Sequence, residues 1–474
     1  MAQWVQPKYK LEPKVIRLGD GINTAVPPFD IADSEGTYLR NVGSDEYPAL
    51  SVRPGRSISS TATSTNVLGL GQRNNQYIMQ VSNNTWKYTS PGSSTWTDLT
   101  TGLSTSAQAT ILDYVIGAAS TKHYSVLMST AQKKIWDGSS TALTLGTSDT
   151  PLTDKFTVHK GRIYALDGPD IDFSALNLPN DWTTVGDGGA GTVNITRAKG
   201  DGTAIATYNN HVIAWTEFSM HELYGTGPLN YELTDVEGEV GCISQRSVCE
   251  CNGRLYWMGH PGVYEYSGGS PRIVSEPMKD YIDAINKTYK RGIASGSIDE
   301  FLYIAIPYGS TATQNNLLLV FDTAKRKWFV ETGYFVAFVT ISNSLYGVDK
   351  DGTIHKLRDG TTDGGTAISW EFITKPFNEG AIGEKKSVSD MYVVAEVSTG
   401  STAFTLGYST NVENNDSSSF TSLLSLSGSS NTQNQRINVP LSQLHDVGWY
   451  RLRLAGSGPA TVHYLQKNVR VKSR

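Results

Sequence analysis

A chain of 474 residues, 38% hydrophobic and 18% charged, is long enough for one large or two ordinary domains with substantial cores, and its charge content is low for a helical protein. The formal net charge of -5 excludes a global basic field that would gather nucleic acid or an acidic membrane surface. Three cysteines, Cys242, Cys249 and Cys251, are too few and too close together for a disulfide framework, which points to folding in a reducing compartment.

Met1 is followed by Ala-Gln-Trp-Val-Gln-Pro, not by a basic start and an apolar core, so no secretory signal is expected. No stretch reaches the roughly 18 uninterrupted apolar residues of a spanning helix, so no membrane anchor is expected. Residues 1–60 read as an extended N-terminal arm, punctuated by Pro27-Pro28 and Arg53-Pro-Gly55, with few consecutive core residues. Such an arm suits a position laid across a blade, or onto a neighbouring subunit.

Residues 61–360 carry a loose repeat in which an Asn/Gly turn precedes an alternating strand and a second turn precedes another. Instances begin at Gly71, His159, Tyr208, Cys251 and Ser342. Alternation places Leu255 and Trp257 on one face and Tyr256 and Met258 on the other, both faces large and apolar, as for strands packed on both sides. Asn209-Asn210, Asn252-Gly253 and Asp351-Gly352 suit hairpin turns, because these residues tolerate positive φ. Units spaced by roughly 35 to 50 residues predict a β-propeller of about six or seven four-stranded blades, with stacked flat sheets as the competing arrangement.

One helix is expected within this region. Ser275 caps it, Pro277 opens it, Met278, Tyr281, Ile282 and Ile285 share a face, and Lys287, Lys290 and Arg291 lie at its C-terminal end. Thr361 to Gly365 reads as a flexible linker. Residues 366–474 then predict an antiparallel β-sandwich, with strands at 368–374, 389–398, 403–409, 435–439, 449–454 and 460–471. Mobile polar loops are expected at 413–419 and 427–433. In the last strand, Lys467, Arg470 and Lys472 are expected to face outward from a charged sheet edge.

Chemistry is sparse. His221-Glu222 lacks the second His of a zinc-protease helix, and Cys249 with Cys251 reads as a buried pair, not a zinc site. Gly186 to Gly191 follows no strand-to-helix junction and reads as a plain loop. Asp167, Asp170 and Asp172, and Asp235, Glu237 and Glu239, are the carboxylates that a glycosidase reading would use, but they sit in Gly-rich loops where acids commonly cap turns. Calcium loop spacing is absent from 235–239. The expectation is no enzyme, with no catalytic, cofactor-binding or metal residue assigned and no cofactor. A receptor- or glycan-binding propeller, using Trp86, Tyr88 and Trp96, is the alternative, and a glycosidase a lesser one.

The order of elements carries a resemblance. Gly19 to Thr24, Pro27-Pro28, Arg53-Pro-Gly55, Gly161-Arg-Ile-Tyr-Ala, Asn180-Asp-Trp182, Gly262-Val-Tyr-Glu-Tyr, Ile273 to Pro277 and its helix, Leu319-Val-Phe-Asp322 before Lys327-Trp328, and the terminal sandwich recur in this sequence order. Over nearly its full length the chain resembles virion propeller proteins of tailed bacteriophages. The resemblance is closest to the tail hub proteins of short-tailed phages, the packaged-DNA-stabilisation or nozzle-like type. Similar propellers also occur as minor structural proteins of long-tailed phages.

The resemblance implies a homo-oligomeric ring, a hexamer, below the portal and adaptor rings, which extends the DNA channel, retains packaged DNA and carries tail fibres, spikes or a needle. It implies double-stranded DNA passing through the lumen without sequence-specific binding, assembly in the bacterial host cytoplasm, and residence in the virion tail. The weak negative charge is consistent with a conduit in which DNA slides.

Overall fold

A computed structural model of the protein describes residues 12–61, 65–117, 121–139, 141–380, 382–398, 402–412, 415–428, 433–440 and 442–472. Residues 1–11, on which the signal reading and the start of the arm reading fall, lie outside the described residues. Strands dominate, and no helix among the described residues is long and apolar enough to cross a membrane.

Seven antiparallel sheets follow one another along the chain. Sheets I to VI each have four strands in sequence order and span 67–100, 109–144, 156–194, 202–236, 249–273 and 294–332. Sheet VII takes its first three strands from 335–357 and its fourth, Arg56–Ser60, from the other end of the chain, antiparallel to Ile354–Leu357. Buried clusters join consecutive sheets: Trp86 with Trp136 between I and II, Tyr114 with Phe156 between II and III, Tyr164 with Leu223 between III and IV. Trp215 packs on Trp257 between IV and V, and Val67, Leu70 and Ile78 of sheet I join Ile341, Tyr346 and Val348 of sheet VII. The order is therefore cyclic, a β-propeller arrangement.

Two-sided packing follows the alternation read from the sequence. Leu255 and Trp257 lie in the cluster shared with sheet IV, whereas Tyr256 and Met258 lie in the cluster shared with sheet VI, and all four are at most 2% exposed. The turns between first and second strands repeat one device. Lys160-Gly161, Asn209-Asn210, Asn252-Gly253 and Ser342-Asn343 all have positive φ at both central residues, which matches the twist of a two-residue hairpin, and in sheet I Asn74 and Asn75 have it within a three-residue loop closed by Arg73 and Tyr77. Asp351-Gly352 differs, since only Gly352 is left-handed and the Asp349 carboxylate accepts from the Asp351 and Thr353 amides, each at 2.9 Å.

Residues 12–60 lie across sheet VI, where the Ile22 and Asn41 amides donate to the Trp328 and Val330 carbonyls at 3.0 and 2.9 Å, and they also pair as strands. Glu12–Ile16 pairs with Ala460–Lys472, as does Leu50–Val52, while Gly36–Arg40 pairs with Ser369–Thr374. The N-terminal segment thus supplies strands to two C-terminal sheets before closing sheet VII. One of these runs in the order Val42–Gly43, Leu50–Val52, Ala460–Lys472, Lys385–Val397, Gln433–Asn438. The other runs Gly36–Arg40, Ser369–Thr374, Arg451–Ser457, Thr402–Ser409, Thr421–Leu426. Met391, Val393 and Leu465 of the first share a buried cluster with Phe372, Leu406 and Leu454 of the second.

Three further expectations are corrected. The helical stretch starts after Ser275 with Pro277 in its first turn, as expected, but is only a 3-10 turn, Glu276–Met278, running into Lys279–Asp283; the Ser275 hydroxyl accepts the Val263 amide at 2.9 Å instead of capping, and the chain past Ala284 bridges Ile285 to Tyr308. Residues 361–365 are no flexible linker: Thr362–Asp363 pairs with Thr366–Ala367 and lies against Arg56. The last strand is interior, flanked by Lys385–Val397 on one side and N-terminal strands on the other, and Lys467 points inward at 0% exposure. Of the expected mobile loops, residues 413–414 and 429–432 lie outside the described residues, and Ser417–Ser419 forms a helical turn capped by Asp416.

Asn41 couples propeller and C-terminal sheets. With φ of 57° it turns its side chain to accept from Arg53 Nε at 3.0 Å and from the Thr332 amide at 3.0 Å, and to donate to Ser369 O at 2.8 Å. Arg53 also clamps Asp363 through two donors at 2.9 and 2.6 Å, and Glu331 pairs with Arg56 at 2.5 Å. This explains Arg53-Pro-Gly55 in physical terms. A Cβ on Gly55 would lie 2.3 Å from the Thr362 carbonyl oxygen, so only glycine lets the two segments meet.

Candidate functional site

The inner strands of the ring carry small residues that let the sheets converge. A Cβ on Gly69 would lie 2.6 Å from Ala109 O and one on Gly71 2.3 Å from Ile111 O. Convergence leaves the free edge of each inner strand facing the axis, and the connection between sheets IV and V turns inward to meet it. Gln245 accepts from the Ile205 amide at 2.8 Å and donates to the Ile205 carbonyl at 3.0 Å. Arg246 reaches farther and donates to the carbonyls of Leu68 and Ala109 in sheets I and II.

Arg246 therefore bridges the axis. On one side lies a cavity of about 280 Å³ between inner strands, lined by Leu70, Ile111, Ala294 and Phe338. On the other lies a wider recess of about 600 Å³, with Lys155, Arg246 and Arg291 facing Asp154, Asp167 and Asp201. Arg246 lines both, so the axis is not an open bore. Burial pushes its guanidinium down to about 10, with Asp154 the carboxylate that favours its charge. A single arginine in a connecting loop gives no local sequence signal, and the sequence reading missed it.

The expected carboxylates are dispersed. Asp167 and Asp170 face each other across the hairpin of sheet III, where Asp170 accepts from Asn194 at 2.6 Å and Asp172 from Thr192 at 2.5 Å. Burial raises Asp172, and its threonine bond opposes this. Asp235 belongs to the outermost strand of sheet IV, with Glu237 and Glu239 exposed beyond it. The two groups occupy different sheets, and no opposed pair brackets a cavity.

The structure does assemble a Ser-His-Asp relay. Ser219 Oγ lies 2.8 Å from His221 Nε2, and His221 Nδ1 lies 2.8 Å from Asp235. Yet Ser219 is 5% exposed, bonds Thr216 at 2.6 Å and accepts the Lys199 amide at 3.1 Å. Burial lowers His221, which counters Asp235. A nucleophile needs a free path to substrate. This hydroxyl has none, and the relay locks a strand turn. Glu222 is likewise consumed by Tyr224, Tyr266 and His211.

Gly186 to Gly191 wraps a buried arginine. Arg162 donates to Ser174 O at 2.7 Å, Gly189 O at 2.5 Å and Asp187 O at 3.1 Å. Burial raises the thiols, Cys242 and Cys249 to about 11 and Cys251 to about 12, and among the described residues no three His, Cys, Asp or Glu gather as a metal group. Trp86, expected in a presenting loop, is a strand residue with 0% exposure, and Lys87 covers Trp96 at 4.9 Å.

No protein-family model and no curated protein matches the chain. Solved structures resemble it at low identity. They include BamB from Moraxella catarrhalis, a β-propeller, at 8% identity over 65% of this chain and 90% of that one, TM-score 0.38. They also include the extracellular domain of the putative one component system BT4673 from B. thetaiotaomicron, at 9% identity over 86% and 63%, TM-score 0.43. PorZ, a surface component of the type-IX secretion system of Porphyromonas gingivalis, aligns at 10% identity over 70% and 44%, TM-score 0.41. These likenesses carry no argument about function.

Proposed function

We propose that the chain is a non-catalytic structural protein of a bacteriophage tail, a hub or nozzle subunit built as a seven-bladed propeller with a C-terminal sandwich. A hexameric ring of copies sits below the portal and adaptor rings, extends the DNA channel, helps retain packaged DNA and carries fibres, spikes or a needle. The order of sequence elements supports this family. The observation that carries a structural role is the threading of residues 12–60 through both C-terminal sheets into sheet VII, which ties the two modules into one body. A part that transmits load needs such ties, whereas a reaction vessel needs an open cleft.

In this reading DNA does not pass through any single propeller, since Gln245 and Arg246 cross its axis. It runs along the symmetry axis of the ring, between subunits. The test mixes purified chain with portal and adaptor rings and images the product by electron cryomicroscopy. A closed ring of this chain on the adaptor face is expected. Monomers alone at high concentration, with no attachment, contradict the reading.

A further inference from the structure

Five phenylalanine or tyrosine side chains of the propeller are exposed, and four of them gather at one end of the strands in sheets IV to VII. Phe218 lies between the second and third strands of sheet IV, and Tyr308 between those of sheet VI. Tyr289 lies on the link from sheet V to sheet VI, and Tyr334 on the link from sheet VI to sheet VII. In an antiparallel four-stranded sheet the link between strands two and three and the link to the next sheet leave from the same end, so the four share one face of the propeller. Tyr224, the fifth, lies at the opposite end.

Polar groups stand beside these rings. Phe218 lies flat against His260, from the matching turn of sheet V, with centroids 4.8 Å apart and planes 14° apart. Tyr289 and Tyr334 each border a recess, of about 240 and 250 Å³. Thr288, Thr313 and Gln314 line the first, and Asp349, Lys350 and Asp351 the second. Neither tyrosine hydroxyl has a hydrogen-bond partner among the described residues. An aromatic wall with a few polar groups around a small recess is the composition of a ligand site.

Charge and composition select the occupant. The links at this end of sheets IV to VII, residues 217–219, 237–248, 259–262, 274–293, 307–316, 333–334 and 350–353, carry six lysines and arginines against seven aspartates and glutamates. A face with no surplus of positive charge has no grip on the phosphates of a nucleic acid. The same links expose no large aliphatic side chain, so they lack the contiguous apolar core of a protein interface. Separated rings among hydroxyl, amide and carboxylate groups match a sugar chain, whose C–H faces stack on tyrosine while its hydroxyls bond the polar neighbours. We infer that this face binds an oligosaccharide chain, with sugar rings stacked on Tyr289 and Tyr334 and hydroxyls bonded in the two recesses. The inference goes beyond the tail reading and does not depend on it.

An array of bacterial surface polysaccharides and their repeat-unit oligosaccharides, with oligo-deoxythymidylate beside them, tests it on the full chain. Saturable binding to at least one polysaccharide and none to the oligonucleotide is expected. For the polysaccharide bound most tightly, Tyr289→Ala and Tyr334→Ala should each weaken binding about tenfold, the scale of one lost stacking contact, while near-UV circular dichroism stays native. Tyr289→Phe keeps the ring and should bind as the wild type does, and so should Leu229→Ala, exposed at the opposite end of the strands. No binding to any polysaccharide, or binding that a folded Tyr289→Ala, Tyr334→Ala protein retains, would overturn the inference. Binding to the oligonucleotide alone would overturn it in favour of a nucleic-acid face.

Discussion

Lys467 and Glu379 meet at 2.7 Å with side chains 0% and 2% exposed. The register of the first and last strands sets Lys14 opposite Lys467, and Glu379 answers both, binding Lys14 at 2.8 Å. Tyr450 donates to the same carboxylate at 3.0 Å, and the Lys467 ammonium sits 3.2 Å above the Phe377 ring. Removing one partner of a buried pair costs about 3–5 kcal/mol, because the survivor stays uncompensated. Glu379→Gln should lower stability by that order in urea unfolding, and Lys467→Met combined with Glu379→Gln should recover part of it.

The same cluster sets a pH response. Burial brings Lys467 down to about 8, and Glu379 opposes this only in part. The unfolded chain holds that proton to about 10.4, so between these values it binds more protons than the folded chain and stability rises with pH. Tyr450 runs the other way, raised by burial and by Glu379, so the folded state keeps a proton that the unfolded state sheds above about 10. Cys242, Cys249 and Cys251, also raised by burial, act in the same direction as Tyr450 from about pH 8.5, so chemical unfolding across pH 7 to 11 should show a rise, a maximum near pH 8.5 and a fall. Lys467→Met should reduce the rise, to which Lys87, Lys133 and Lys386, lowered by burial, also contribute, and leave the fall.

Convergence of the inner strands is testable at Gly71. An added methyl meets the Ile111 backbone, which cannot rotate away as a flexible side chain does. Gly71→Ala should cost about 1–3 kcal/mol in equilibrium unfolding. Gly253→Ala, where a Cβ meets nothing within 4 Å, should register only the smaller strain of its positive φ.

What the sequence revealed was local. The alternation from Leu255 to Met258, the Asn-rich hairpin turns and most C-terminal strands need only neighbours within a few residues. Sheets II and VI escaped the repeat because their hairpins depart from it, the middle strands of sheet VI being joined by a long loop from 307 to 316. Most strands at 12–60 escaped because their partners lie roughly 300 residues or more away, as Tyr38 with Ile373 and Ser57 with Lys356. Lys467 was placed outward because nothing near it in sequence announces Glu379. The axial site was illegible for the same reason, since Arg246 acts on carbonyls of residues 68 and 109.

The Ser219 relay predicts a mutational signature. If the hydroxyl serves structure, Ser219→Ala should reduce stability by about 1–3 kcal/mol through the partners left unsatisfied. Activated-ester hydrolysis by wild-type protein should stay at the buffer rate. Turnover by the wild type that Ser219→Ala abolishes would show a working nucleophile.

Closure of the ring by the strand Arg56–Ser60 is the relation on which the other arguments rest. Ser57 and Lys356 are direct register partners across that seam, near enough for a disulfide between cysteines placed there. Oxidation of a Ser57→Cys, Lys356→Cys protein should give a quantitative intramolecular crosslink, read by mass spectrometry, and a higher unfolding temperature. Two thiols that stay free in the folded, oxidised protein would mean that the last sheet lacks its fourth strand and that the ring is open.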